Sequence, residues 1–217
     1  MERVTTIEEA YNILGENMIG LKEIKNNQHL QSFFNFTNLS EEIVQLIPFS
    51  KDELFQKKSS HLLILVIPEH SSKKKINFQH FRDFFGFDPE IKEPCFYNQD
   101  WYVNENFYLK SSLKFEWLFV EKKISENSRG VEPSTLDQSE FRLHSALTFT
   151  YIFFIYYLTK NNILWENDYV WCSDFDTNQD QIYVGRYIDP NKINKNGFSI
   201  HRHLKIKNNY GISKIIQ

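Results

Sequence analysis

Asp174, Asp176, Asn178 and Asp180 put oxygen-bearing side chains at alternate positions of one short segment. Carboxylates at that spacing converge on a hard divalent cation when the loop curls round it. Two positions depart from a calcium loop: Gln179 stands where the sharp turn needs Gly, and Gly185 where a bidentate Glu is needed. The mismatches favour a plainer reading, a polar hairpin loop in which Asp and Asn bond to their own backbone. His201 and His203 lie two apart in a strand-like segment, so both imidazoles point to one side. They could supply two ligands of a metal site, which needs three or four. With Asp174 and Asp176 from a neighbouring strand, they would make the centre of a metal-dependent hydrolase or nuclease.

Other chemistry finds less support. Cys172 sits inside a strand-like run between Trp171 and Ser173, where burial keeps a thiol protonated. The chain has no G-x-S-x-G or H-E-x-x-H motif and no phosphate-binding glycine loop. Trp165, Tyr169, Trp171, Tyr183 and Tyr187 gather around the hairpin. Most strand aromatics pack on a core, but any that line an open face form an interaction surface, because Trp and Tyr are enriched at binding hot spots.

These residues must be positioned by the elements around them. Ala146 to Leu158 reads ALTFTYIFFIYYL, apolar all round. Such a run is too short for a membrane span of about 20 residues, so it predicts a central core helix over about 145–159. Strands are predicted at 169–173 and 181–187. A third, over 198–207, has Phe198, Ile200, Leu204 and Ile206 on one face and Ser199, His201, His203, Lys205 and Lys207 on a wet one. Upstream, HLLILVI at 61–67, closed by Pro68, has the pattern of a strand covered on both faces, and 115–121 that of another. Thr5 with Glu8 or Thr6 with Glu9, and Ser50 with Glu53, have capping-box spacing and predict short N-terminal helices; Ser40 is a further candidate cap. Phe78, Phe81, Phe84 and Phe85 follow helical spacing over 77–85, whereas 101–109 is ambiguous. The sum is an α+β fold: short N-terminal helices, a mainly antiparallel sheet packed on one aromatic core helix, and C-terminal strands. One domain over 1–217 is expected, with 125–135, rich in chain breakers, as a possible subdomain boundary.

Composition narrows the partners. With 16% aromatic residues the chain can bury a large core and is not disordered. A net charge of −3 carries no global footprint for nucleic acid or an anionic membrane. Two distant cysteines, Cys95 and Cys172, fit free thiols in a reducing compartment. The first residues lack a charged segment followed by an apolar one, so a cytoplasmic location is expected.

The sequence W-E-N-x-Y-V-x-C-S-D-x-D at 165–176, followed by I-x-V-G-x-Y at 182–187, resembles a family of uncharacterised bacterial proteins. Trp101-Tyr102, Glu116-Trp117-Leu118, Asn127-Ser128 and Gly197-Phe198 occur in the same order. The resemblance spans about 48–212 and is tightest over 157–187. It implies a shared fold and no activity. Where such proteins carry an aspartate- and arginine-rich stretch, this chain has His201-Arg202-His203-Leu204-Lys205. The favoured expectation is a non-catalytic binding protein using His201, Arg202, His203, Trp171, Tyr183 and Tyr187, with no cofactor and with protein as the candidate partner class. The alternative is the hydrolase above with a divalent ion.

Overall fold

A computed structural model describes residues 6–39, 44–45, 47–87, 92–137, 140–190, 196–202 and 205–216. The N-terminal helices begin where the sequence supplies caps. Thr6 Oγ1 accepts the Glu9 amide at 3.2 Å and opens α1 (Ile7–Leu14), which ends at Gly15 with φ 54°. Asn27 separates α2 (Leu21–Asn26) from α3 (Gln28–Phe33), and its Oδ1 accepts the Leu30 amide. Ser50 accepts from Glu53 at the start of α4 (Lys51–Lys57). Each such side-chain acceptor satisfies an amide that the helix itself leaves unpaired. The expected cap Ser40 lies outside the described residues.

The strands form two sheets rather than the single one expected. In the first, β2 (His61–Val66) is buried along its whole length, as its unbroken apolar run requires. It pairs in parallel with β1 (Met18–Ile19) and antiparallel with β3 (Glu116–Glu121), which carries β8 (Ile215–Ile216) on its far side. The second has the order β6-β5-β4-β7, with β4 (Tyr169–Phe175), β5 (Gln181–Tyr187), β6 (Gly197–His201) and β7 (Tyr210–Gly211). β4–β5 and β5–β6 are antiparallel and β4–β7 is parallel. The predicted α+β class, with a mainly antiparallel framework and C-terminal strands, is what the chain adopts.

Between the strand groups lie α5 (Phe78–Phe85), capped by Asn77, and α6 (Asn106–Lys110), which resolves the ambiguous segment. The aromatic helix is α7 (Ala146–Lys160), capped by Ser145 and closed by Asn161 in the left-handed region. Both sheets meet it. The Tyr151 hydroxyl donates to Leu65 O at 2.7 Å and accepts from Ile67 N at 3.1 Å, fixing the helix on the end of β2. On the other side Phe153 and Phe154 pack on Phe198 of β6, with ring centroids 4.8 and 5.6 Å apart. One continuous core thus contains Leu62–Val66, Phe149, Phe154, Val170, Ile182, Val184 and Ile200. Every aromatic placed there contributes about 1.5–3 kcal/mol of burial. Among the described residues no helix is long and apolar enough to cross a membrane.

The breaker-rich 125–135 segment straps the second sheet. It folds into two 3-10 turns, and Ser125 N donates to Ile212 O while Gly130 N donates to Tyr210 O.

Candidate functional site

Strand alternation sorts the second sheet into two faces. Val170, Cys172, Ile182, Val184, Phe198 and Ile200 face α7. The register pairs Tyr169 with Gly185, Trp171 with Tyr183, and Tyr183 with His201, so these residues share the outer face. Half of that face is covered. Trp171, Tyr183 and Tyr210 form a second apolar cluster with Phe141 and Ile212, and Leu136, Leu143 and Ile206 close over it. Tyr183 is fully buried and Trp171 nearly so, which places these two expected binding residues inside packing. The expected wet face of the last strand differs too. Strand pairing stops at His201, and Ser199 is buried with its hydroxyl donating to Gly185 O. The 205–207 segment is not a strand, and His203 lies outside the described residues.

The open part of the face is a rim along β5 and β6. Tyr187 sits on Tyr97 with centroids 4.4 Å apart, and His201 lies over Tyr183 at 5.6 Å with Tyr169 edge-on at 5.4 Å. Burial among these rings pushes the His201 imidazole down to about 4 and the Tyr169 phenol up to about 12. Tyr169 lies flat over Gly185, where a Cβ would come within 2.7 Å of the ring and 2.5 Å of Asp168 O. Only a glycine leaves the room.

At the end of β6, Arg202 joins three segments. Its Nη1 donates to Asp176 Oδ2 at 2.5 Å and lies 3.7 Å from Glu105 Oε1. Its guanidinium rests on the Trp101 ring at 4.4 Å. Trp101 is itself held, Nε1 donating to Ile200 O at 3.1 Å, and Glu105 Oε2 accepts both the amide and the hydroxyl of Thr177. The predicted Asp174–Asp180 loop is thereby explained: Asp174 lies near the end of β4, and Asp176 to Asp180 form a turn. Asp176 Oδ1 accepts the amides of Asn178 and Asp180, each at 2.8 Å. Burial would raise its carboxyl, but the Asp180 amide, the Arg202 guanidinium and the Asn178 amide outweigh that and hold it below the ordinary range. Gln179 adopts φ 68° at the position where a calcium loop would have Gly.

Asp174 faces the other way. Its Oδ2 accepts the Ala146 amide at 2.6 Å, at the N-terminus of α7, and burial raises its carboxyl. A carboxylate there complements the helix dipole. Asp174 and His201 therefore lie on opposite faces of the sheet, and the expected hydrolase grouping of Asp174, Asp176 and His201 is not assembled. Among the described residues no three His, Cys, Asp or Glu side chains come together to hold a metal ion. Cys172 is fully buried, and burial pushes its thiol well up.

Trp101, Glu105 and Tyr97 complete the rim, and sequence reasoning missed all three as site residues. They come from a segment without periodicity, and only the tertiary fold brings them to β6. Comparison with protein-family models, curated proteins and solved structures finds no match for this chain.

Proposed function

We propose that this is a non-catalytic binding protein whose contact surface is the rim formed by Trp101, Arg202, His201, Tyr187 and Tyr97. The observation that carries the reading is the Arg202–Trp101 stack, half-exposed and pinned by Asp176. Trp, Tyr and Arg dominate binding hot spots, and a pair already fixed in place loses little side-chain entropy when a partner docks. The partner that suits such a surface is another protein. Nucleic acid is disfavoured, since the Arg202 charge is balanced by Asp176 and Glu105.

The hydrolase alternative is weaker, because Asp174 and Asp176 already serve a helix terminus, a turn and an ion pair. The resemblance over 157–187 also fits the binding reading, as its residues build the sheet beneath the rim.

A photo-crosslinking residue at Tyr187, introduced in the native host, tests the proposal. One discrete protein adduct is expected, and it should disappear in Trp101→Ala and Arg202→Ala variants whose melting curves remain cooperative. Absence of an adduct, or an adduct unaffected by both variants, would count against it.

A further inference from the structure

A group of lysines without carboxylate partners among the described residues lies elsewhere, where α4 turns into β2. Lys57 and Lys58 end the helix, and Ser59 and Ser60 complete the turn. Lys122 and Lys123 follow β3 directly and lie against it, with Lys122 N donating to Ser60 O at 2.9 Å. Here lies a cleft of about 370 Å³ lined by Ser59, Ser60, Glu121, Lys122, Lys123, Ile124 and Glu126, so Lys122 and Lys123 border it directly. Among the described residues none of these four lysines is within ion-pair distance of a carboxylate, in contrast to Lys51, Lys160 and Lys214.

The ammonium of Lys122 is also positioned. It is half-buried and donates to Asn17 Oδ1 at 2.9 Å, while Asn17 Nδ2 donates to Lys58 O at 2.6 Å. Of the two carboxylates of the cleft, Glu126 pairs with Arg129 at 3.0 Å, while Glu121 accepts the neutral Ser125 hydroxyl at 2.6 Å and stands as one negative group against the four lysines. Two titratable groups register the positive field. Burial and then Lys123 hold Lys122 down, while burial followed by Lys57, Lys122 and Lys214 hold His61 down to about 4. The Ser60 hydroxyl lies 2.9 Å from His61 Nδ1 and makes a long 3.3 Å bond to Lys57 O, which it would exchange for an anion by turning outward as a donor.

Helix-terminal lysines often do no more than complement the helix dipole. That role accounts for Lys57 and Lys58, but not for a half-buried Lys122 beside Lys123 just past the end of β3. We infer that this cleft binds a phosphate-type oxyanion, free phosphate or a phosphomonoester, between the Lys122 and Lys123 ammonium groups and the Ser59 and Ser60 hydroxyls. An anion there supplies counter-charge that Glu121 alone does not, and charge-assisted bonds to lysine and serine are the usual way such groups are held.

The test is titration of the full chain with inorganic phosphate and with glycerol phosphate, followed by amide and His61 ring NMR shifts. Saturable shifts confined to 57–61 and 121–124 are expected below about 20 mM, with the His61 pKa moving upward as the anion binds. Binding should weaken roughly tenfold or more in K122A/K123A and persist in K122R/K123R. The tighter of the two probes identifies the source, a monoester or free phosphate. Linear, unsaturated shifts, or binding unchanged in K122A/K123A, would mean an adventitious ion only and would overturn the inference.

Discussion

Acidification should destabilise this protein, and two buried histidines set most of the effect. Burial, assisted by Arg142, holds His144 down to about 4, and burial alone does the same to His201, against an ordinary value of 6.5. The fold therefore favours the neutral rings, and between those values the unfolded chain binds more protons. The stabilisation is present in full above the unfolded value of 6.5 and is lost as the pH falls towards about 4. At about pH 5 each ring costs about 2 kcal/mol, so the pair costs about 4 kcal/mol of a typical 5–15. His61, also held down to about 4, acts in the same direction. Asp174, raised by burial, acts oppositely, its stabilisation growing as it is protonated at lower pH. Urea midpoints from tryptophan fluorescence at about pH 7.5 and about pH 5 measure the difference. A His144→Phe variant, which keeps the packing on Phe149 and removes one titrating ring, should lose about half of the pair's pH dependence. Equal midpoints at the two pH values would refute the reasoning.

Other consequences are local. Tyr151→Phe removes the hydroxyl that links Leu65 O and Ile67 N to α7, and should cost about 2 kcal/mol by denaturant titration. Gly185→Ala forces a methyl into Asp168 O and the Tyr169 ring, and should cost about 1–3 kcal/mol while also shifting the His201 ring resonances.

What could be read in the sequence follows from how local each feature is. Ser50, Thr6 and the apolar run at 61–67 act through neighbours one to four residues away, and helix α4 and strand β2 appear where they were expected. The aromatic run gave α7 nearly to the residue, because a stretch apolar on every side has nowhere to go but the core. Strand alternation also placed Tyr169 and Trp171 on one face, and Tyr183 and Tyr187 on one face of β5. What alternation could not show is that Leu136, Phe141, Leu143 and Ile206 lie over part of that surface. It therefore misjudged Trp171 and Tyr183, and took Ser199 as wet.

The Asp174–Asp180 loop illustrates a different limit. Alternating carboxylates look alike whether they hold a cation or cap a helix and a turn. The difference lies in Ala146, 28 residues before Asp174, and Arg202, 26 residues after Asp176. Trp101 stands in a segment without periodicity. Its role rests on a bond to Ile200, which no spacing rule reaches.

The central claim is that Asp176 organises a contact surface around Arg202 and does not hold a catalytic ion. Elemental analysis of the purified protein after equilibration with calcium, manganese and zinc, beside an Asp176→Asn variant, tests it most directly. The account predicts no stoichiometric ion in either protein, with Asp176→Asn loosening the Arg202–Trp101 stack and weakening the Tyr187 crosslink. One divalent ion per chain, lost on Asp176→Asn, would contradict it.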